Sequence, residues 1–313
     1  MMNKLISTVS PHFHTPRSTQ MIMLDVIIAL VPAEIASAII FGWRALLIVA
    51  VCVGTCVLSE FLFEKLCKRE NTVSDLSSIV TGILLAFNLP VTIPIWQAML
   101  GSVIAIIVVK QLFGGIGQNF ANPAITARII MLVAFSGDMT KWITPSGFFT
   151  DVNASTSATP LLAMTNGTDV PSYLDLFLGR HGGSLGETCA LALLLGGGYL
   201  LVRRVITWHT PVAFIGTVAL MSLVCGKDVP GQVLSGGLLL GAFFMATDYA
   251  TTPNTKWGKI IFGVGCGLIT ILIRFWGNFP EGVSFSILLM NILTPAITKL
   301  TRPKPLTGGA DKL

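Results

Sequence analysis

The sequence predicts an all-α integral membrane protein with about ten transmembrane helices, arranged as two inverted five-helix repeats. Of its 313 residues, 53% are hydrophobic and only 11% are charged, which is far from the composition of soluble proteins. Apolar stretches of membrane-spanning length recur along the whole chain. These stretches lack the alternating pattern of a β-barrel, and lipid offers backbone groups no partners, so helices are the predicted elements.

Ten apolar segments are long enough to cross a hydrocarbon core of roughly 30 Å as helices. They lie near residues 21–42, 46–66, 73–89, 94–112, 120–136, 186–202, 210–226, 231–248, 258–276 and 281–299. The chain then divides into an N-terminal membrane half (1–136), a connecting loop (137–185), a C-terminal membrane half (186–300) and a tail (301–313).

The basic residues predict the orientation, because Lys and Arg collect in cytoplasmic connections. With the N-terminus inside, fourteen of the twenty Lys and Arg residues, including Lys110, fall on the inner side. Five, including Arg274, fall on the outer side, and Arg128 lies inside the fifth segment. Both termini are therefore predicted in the cytoplasm, and the loop 137–185 on the outer side of the membrane. The net charge of +5 then reflects topology and contact with anionic lipid, and no nucleic-acid partner is predicted.

Weak internal similarities predict that the two halves are related. Residues 82–85 (Gly-Ile-Leu-Leu) resemble residues 237–240 (Gly-Leu-Leu-Leu), and residues 95–96 (Ile-Trp) resemble residues 256–257 (Lys-Trp). Five spans per half require that the second half enters the membrane in the opposite orientation, as in many transporters with a central binding site.

The loop 137–185 is unusually long, and such loops within compact proteins are usually functional. Its residues 153–161 read Asn-Ala-Ser-Thr-Ser-Ala-Thr-Pro-Leu. Small residues next to Thr159 leave its hydroxyl uncrowded, as an enzyme that modifies this hydroxyl would require. Chemistry alone does not distinguish this stretch from an ordinary polar turn, which is by far the commoner explanation of such a composition.

Residues 153–159 resemble the flavinylation motif Asp-x-x-Ser/Thr-Gly-Ala-Thr, in which a flavin transferase joins the phosphate of FMN to the final Thr as a phosphoester. Thr156, Ala158 and Thr159 agree with this motif, whereas Asn153 stands in place of the Asp and Ser157 in place of the Gly. The resemblance implies that Thr159 carries covalent FMN.

Further segments along nearly the whole chain resemble the same family, which comprises the D subunit of Rnf complexes and the B subunit of sodium-pumping NADH:quinone oxidoreductase. They are residues 10–12 (Ser-Pro-His), 114–124 (Gly-Gly-Ile-Gly-Gln-Asn-Phe-Ala-Asn-Pro-Ala), 244–248 (Phe-Met-Ala-Thr-Asp) with 252–253, and 279–283 (Phe-Pro-Glu-Gly-Val) with 288–291. Ala121 replaces a Phe of the family pattern. The short N-terminal region is more similar to the Rnf protein.

The resemblance implies a membrane electron carrier within a redox-driven Na⁺ or H⁺ pump that exchanges electrons between ferredoxin and NAD. The chain itself shows no nicotinamide-binding motif. The partners so implied are the other Rnf subunits, especially the FMN-bearing G subunit, a flavin transferase and membrane lipid. The alternative from the residues alone is an inverted-repeat transporter or channel without a redox cofactor, in which buried acids line a solute path.

The glycine- and asparagine-rich segment 114–122 lies between the fourth and fifth predicted helices. Its glycines permit close backbone approach, and its amides satisfy a broken helix. Such a break would hold a second flavin or an ion, although a tightly packed loop explains it equally well. The resemblance implies a second, noncovalent flavin such as riboflavin, for which the candidate residues are Gly114, Gly115, Asn119, Asn122 and Arg128. Arg128 would pair with an acid, bind a flavin phosphate or reach lipid headgroups.

Ionisable residues at membrane depth are costly and therefore mark candidate ion-path groups. Asp25, Glu34, Glu60 and Asp248 are these candidates, and Glu34 is the deepest of them. Glu64 is left out, because it adjoins the inner end of its helix and is expected to reach the interface. The six Cys and four His residues show no metal-ligand spacing, so no metal site is predicted.

Overall fold

The computed structural model describes residues 17–143, 159–167, 170–277 and 282–303, and the elements in these ranges are helices. Four helices, Thr19–Phe41, Trp43–Leu66, Lys256–Trp276 and Val283–Thr301, are long and apolar enough to cross a membrane. The first of them leaves Ile28, Ile35 and Ile39 exposed, as a lipid-facing surface would. The prediction of an all-α fold is confirmed.

The N-terminal half contains five helical segments, each overlapping a predicted one. They are α1 (Thr19–Phe41), α2 (Trp43–Leu66), α3 (Ser77–Phe87), α4 (Ile95–Val103, continued by a π-helix over Ile104–Gln111) and α5 (Pro123–Ala134). The predicted span 73–89 is shorter than expected. A 3-10 turn (Val73–Asp75) and Leu76 in the left-handed conformation precede α3, whose 11 residues extend only about 16 Å.

The connection between the halves contains three short helices: α6 (Ser136–Met139), α7 (Pro160–Asn166) and α8 (Tyr173–Leu178). Residues 181–189 follow α8 in irregular conformation and are all buried. They pack beside the end of α3, where the Gly186 N–H donates to the Phe87 carbonyl at 2.9 Å. The end of the predicted loop therefore enters the protein interior.

The C-terminal half comprises α9 (Ala190–Val202), α10 (His209–Val224), α11 (Val229–Leu234), α12 (Leu238–Leu240, continued by a π-helix over Gly241–Met245), α13 (Lys256–Trp276) and α14 (Val283–Thr301). The single predicted helix 231–248 is thus two helices. They are separated at Gly236 and Gly237, whose φ angles of 70° and 67° lie in the left-handed region that favours glycine.

The two halves pack in corresponding ways. In the N-terminal half α2 contacts α3 and α4, and α4 contacts α5; in the C-terminal half α10 contacts the π-helix Gly241–Met245 and α13, and α13 contacts α14. The halves meet where α1 packs on α9 and α5 packs on α14. At the first of these interfaces a Cβ atom on Gly196 would lie 2.1 Å from the Ala29 carbonyl oxygen, so only glycine allows this close approach.

Candidate functional site

A partly open cavity lies between the two halves, with a volume of about 780 Å³ when the part open to solvent is counted. The N-terminal half contributes Ser77, Lys110 and part of the segment 114–122, and the C-terminal half contributes Phe243, Phe244 and Asp248. We call it the interhalf cavity. Two features that the sequence analysis treated separately, the glycine-rich segment and Asp248, therefore line the same space.

The segment 114–122 folds back on the π-helix that precedes it. Gly114, Gly115 and Gly117 have φ angles of 120°, 96° and 81°, which explains why glycine occupies these positions. The Asn122 side chain accepts hydrogen bonds from the Ala124 and Ile125 N–H groups and so caps the N-terminus of α5. Of the predicted flavin residues, Asn119 and Asn122 line the interhalf cavity together with Gly117.

Arg128 lies on α5 and is 6% exposed. Its Nη1 donates a short hydrogen bond to the Ser284 hydroxyl at the start of α14. The alternative in which Arg128 reaches lipid headgroups is therefore wrong, because packing of α5 against α14 encloses the side chain.

Asp248 follows the π-helix Gly241–Met245 and is partly buried. Its carboxylate accepts the Thr251 hydroxyl at 3.1 Å and the Ala250 N–H at 3.4 Å. The Thr252 hydroxyl donates to the Asp248 carbonyl instead. Asp248 thus closes a turn at the helix end and also lines the interhalf cavity.

A buried polar cluster adjoins this cavity. Glu60 is 0% exposed, and its Oε1 accepts the Lys110 ammonium at 2.5 Å and the Gln111 amide at 2.8 Å. Lys110 also donates to the Ser77 hydroxyl at 2.6 Å. Glu64 accepts the Thr72 N–H at 3.1 Å and the Thr72 hydroxyl at 2.5 Å. We call Glu60, Glu64, Lys110, Gln111 and Ser77 the buried cluster.

One sequence interpretation is corrected here. Glu64 does not reach the interface but is 3% exposed, because the chain after α2 folds back and places Thr72 against it. Lys110, predicted on the inner side, is also only 3% exposed, because the π-helix keeps it in the last helical turn facing Glu60. A lysine that ends an apolar run, opposite an acid of a neighbouring helix, was the signal that sequence reasoning missed.

The predicted ion-path acids do not form one continuous row. Asp25 accepts the Tyr199 hydroxyl at 3.0 Å and pairs with Arg203 at 3.3 Å, where α1 meets the end of α9. Glu34 is partly buried, nine residues further along α1, or about 14 Å of helix. Glu60 belongs to the buried cluster, and Asp248 lines the interhalf cavity.

Thr159 lies at the N-terminus of α7, where its hydroxyl accepts the Leu162 N–H at 3.4 Å. Its side chain is only 3% exposed, so the hydroxyl, expected to be uncrowded, is enclosed in this conformation. The other motif residues, Asn153, Thr156, Ser157 and Ala158, lie outside the described residues. Pro160 follows Thr159 at the first helical position, which suits a helix start.

A groove runs beside α7 and has a volume of about 1400 Å³, counting the part open to solvent. Leu161 of α7, Tyr173 of α8, Lys227 and Arg274 line it; we call it the outer groove. The Tyr173 hydroxyl donates to Asp228 at 2.9 Å, and this hydrogen bond raises the pKa of Tyr173.

Arg274, predicted on the outer side near the end of the helix 258–276, is 6% exposed. Its guanidinium donates to the carbonyls of Gln232, Ser235 and Gly236 at 2.6, 3.1 and 3.2 Å. These are the carbonyls at the break between α11 and α12, which a helix end leaves without intrahelical partners.

Comparison with known proteins finds one matching family model, described as the NQR2, RnfD, RnfE family, over residues 6–307. The chain is 48% identical to the D subunit of the Na(+)-translocating ferredoxin:NAD(+) oxidoreductase complex of Acetobacterium woodii, over 97% of this chain and 96% of that protein. It is 40% identical to the D subunit of the proton-translocating ferredoxin:NAD(+) oxidoreductase complex of Clostridium ljungdahlii, with 96% of each chain covered. It is 36% identical to the D subunit of the ion-translocating oxidoreductase complex of an Escherichia coli O7:K1 strain, over 94% of this chain and 96% of that protein.

Proposed function

Because the chain belongs to the NQR2, RnfD, RnfE family, we propose that it is the membrane-embedded D subunit of an ion-translocating ferredoxin:NAD⁺ oxidoreductase complex. The observation that carries this proposal is the 48% identity to a protein of that description over 97% of the chain. Its partners are then the other subunits of the complex, including the FMN-bearing G subunit. A transporter without a redox cofactor is less well supported, because each of the compared relatives is named as part of an oxidoreductase complex.

We further propose that FMN is attached to Thr159 through a phosphoester made by a flavin transferase. The resemblance of residues 153–159 to the flavinylation motif supports this, and the residues beside α7 fit the group. The outer groove combines the exposed aromatic ring of Tyr173 with the exposed cation Lys227, which suits a planar ring bearing an anionic phosphate. When bound, FMN supplies one-electron redox chemistry, and the protein supplies position and environment. Because the Thr159 hydroxyl is enclosed, its modification requires that the start of α7 is displaced.

The interhalf cavity is the proposed seat of the second, noncovalent flavin. Phe243 and Phe244 provide an apolar wall, the amides of Asn119 and Asn122 provide hydrogen-bonding groups, and Lys110 provides a positive charge. The segment 114–122 forms part of this wall with a glycine backbone that permits close approach. This mixture of an apolar lining with a few polar groups is typical of cofactor sites.

The inverted five-plus-five arrangement is part of the same proposal. The corresponding contacts within each half support it, as does the pairing of α1 with α9 and α5 with α14, since a two-fold axis brings equivalent elements together. Both termini would then lie in the cytoplasm, the Thr159 region in the periplasm, and the chain in the bacterial inner membrane. The relatives are named for different ions, Na⁺ and protons, so the transported ion is a separate question.

Intact mass of the purified chain, coexpressed with a flavin transferase, tests the covalent attachment. The wild type should carry the added mass of one FMN residue, and Thr159→Ala should lose it. Thr165→Ala is the matched control, because Thr165 lies on α7 as well and lines the outer groove, with its hydroxyl donating to the Leu161 carbonyl. An unmodified wild-type chain, or modification that persists in Thr159→Ala, would refute attachment at this residue.

Release of flavin on denaturation tests the noncovalent site. The wild type should release flavin while FMN remains on the chain, and Thr247→Trp should abolish the release because a larger side chain fills the interhalf cavity that Thr247 lines. Thr247→Val keeps the volume and should retain the flavin. Equal release from the Trp and Val variants would place the second flavin elsewhere.

A further inference from the structure

We propose that Lys110 couples the redox state of the group in the interhalf cavity to binding of a monovalent cation at Glu60. This inference rests on the proposed noncovalent flavin and assigns the coupling to particular side chains. The Lys110 ammonium lies between two sites, with Glu60 on one side and the interhalf cavity on the other. The ammonium can therefore interact both with the Glu60 carboxylate and with a cofactor in the cavity whose charge changes on reduction.

The geometry of Glu60 supports a cation site. Its carboxylate is fully buried, and its Oε2 atom has no hydrogen-bond partner among the described residues, whereas Oε1 is bound by Lys110 and Gln111. A buried carboxylate oxygen without a donor is costly. A proton or Na⁺ on this oxygen would remove that cost, and Lys110 already acts as a tethered cation on the other oxygen of the same carboxylate.

The ammonium has a second acceptor on the cavity side. Lys110 donates to Ser77 at 2.6 Å, and both residues line the interhalf cavity. Lys110 stands at the end of a π-helix, and its carbonyl accepts the Gly115 N–H at 3.1 Å, which ties it to the glycine-rich segment. Single π-helical turns are frequent at functional sites, because the wider backbone re-aims the side chains it carries.

Charge balance gives the coupling its direction. When one electron arrives in the cavity from a reduced redox centre of the complex, the added negative charge attracts the ammonium toward the cavity. Glu60 then loses part of its compensation and takes up one cation, H⁺ or Na⁺, so that one negative and one positive charge enter together. When the electron leaves for an oxidised centre, the ammonium returns to Glu60 and the cation is released.

The neighbouring groups set the electrostatic surroundings of Glu60. Its own helix α2 contributes Cys56 and Glu64, and the turn before α3 contributes Thr72 and Asp75. The π-helix contributes the Lys110 cation and the neutral Gln111. Arg69 donates to the Gln111 carbonyl from the outside of the cluster. Asp248, in the C-terminal half, lines the interhalf cavity that Lys110 also lines.

Redox titration of the noncovalent flavin in the purified complex tests the coupling. In the Na⁺ arm, the midpoint potential is measured at fixed pH over a range of Na⁺ concentrations. In the proton arm, it is measured without Na⁺ over a range of pH. For a one-electron couple linked to one cation, each tenfold change in cation concentration should shift the potential by up to about 59 mV. Since flavin takes up protons of its own, the readout in the proton arm is the difference in slope between the wild type and Glu60→Gln.

Glu60→Gln and Lys110→Gln should both remove the cation-dependent part of the slope in one of the two arms, while Lys110→Arg should retain it because the charge remains. Asp138→Asn is the control, since Asp138 forms a similar carboxylate–lysine pair with Lys141 away from the cavity. For a proton, redox difference infrared spectra should also show a carboxyl signal that is absent in Glu60→Gln. A wild-type slope equal to that of Glu60→Gln in both arms would overturn the inference. If the complex contained no noncovalent flavin, both this inference and the proposal of a second flavin would be overturned. The proposal that FMN is attached to Thr159 would not be affected.

Discussion

Replacement of Lys110 by Met should strongly destabilise the protein. The side chain is 3% exposed, and its loss would leave Glu60, which is 0% exposed, as an uncompensated buried charge. Glu60 would retain only the Gln111 amide at 2.8 Å as a strong donor, because the Thr72 hydroxyl is 3.5 Å away. Removing one partner of a buried ion pair costs about 3–5 kcal/mol, which is a large part of the total stability of a typical domain of about 5–15 kcal/mol.

The double variant Lys110→Met/Glu60→Leu separates charge from packing. Apolar replacement of a whole buried pair is often neutral or stabilising by about 1–4 kcal/mol, so the double variant should be more stable than either single variant. Unfolding of the purified chain in detergent micelles, followed by circular dichroism, measures this order. Lys141→Met is the matched control, because Lys141 is 58% exposed in its pair with Asp138, and exposed pairs contribute little. If the double variant lost the sum of the two single losses, the buried pair would not be the cause.

Three further predictions concern other parts of the molecule. Gly196→Ala should destabilise the α1–α9 interface by about 1–3 kcal/mol, because its Cβ would meet the Ala29 carbonyl oxygen at 2.1 Å. Gly198→Ala on the same helix should be tolerated, because its Cβ would meet nothing within 4 Å. Thermal unfolding of the two variants in detergent compares their stabilities. Burial lowers the pKa of His181, so its contribution to stability is fully present above its unfolded pKa of about 6.5 and is lost as the pH falls through the lower folded pKa. His181→Gln should therefore flatten the acid limb of a stability–pH curve, and an unchanged limb would exclude this histidine as its cause. Ultraviolet titration should show Tyr173 ionising above its usual range, and Asp228→Asn should bring its pKa back down by removing the negative charge of the group that accepts its hydrogen bond at 2.9 Å.

Helix positions were predictable from the sequence because the hydrocarbon core imposes a length on every apolar run. Each of the ten predicted segments overlaps a helix, and α1, α2, α13 and α14 agree with prediction to within about three residues at each end. The broken segments were not predictable from hydropathy. Residues 231–248 are almost uniformly apolar or small, and their division at Gly236 and Gly237 depends on Arg274, which binds the carbonyls of the break from a helix distant in sequence.

The site residues were predictable where a local sequence pattern marks them, but not where they depend on contacts between distant parts of the chain. The glycine-rich segment 114–122 and Asp248 were recognisable from local pattern, and each lines the interhalf cavity. Their meeting was not predictable, because it requires the packing of the two halves. Glu64 was misjudged for a related reason. Proximity to a helix end suggests that a long side chain reaches the interface, and only the fold of the chain around Thr72 keeps this side chain inside. The burial of Lys110 depends on the π-helix, which the local sequence did not indicate.

The two proposed cofactor regions are closed in similar ways. In each half, the fourth helical segment carries a buried basic residue to the start of a short helix: Lys110 reaches Ser77 at the start of α3, and Arg274 reaches Ser235 and Gly236 just before α12. In both places a residue in the left-handed conformation precedes the short helix, Leu76 in one half and Gly237 in the other. One cation lines the interhalf cavity and the other lines the outer groove. If the halves are inverted copies, these two positions fall at opposite membrane depths. One ancestral arrangement, a broken helix closed by a buried cation, would then provide one positive charge for each of two flavins, one on either side of the bundle.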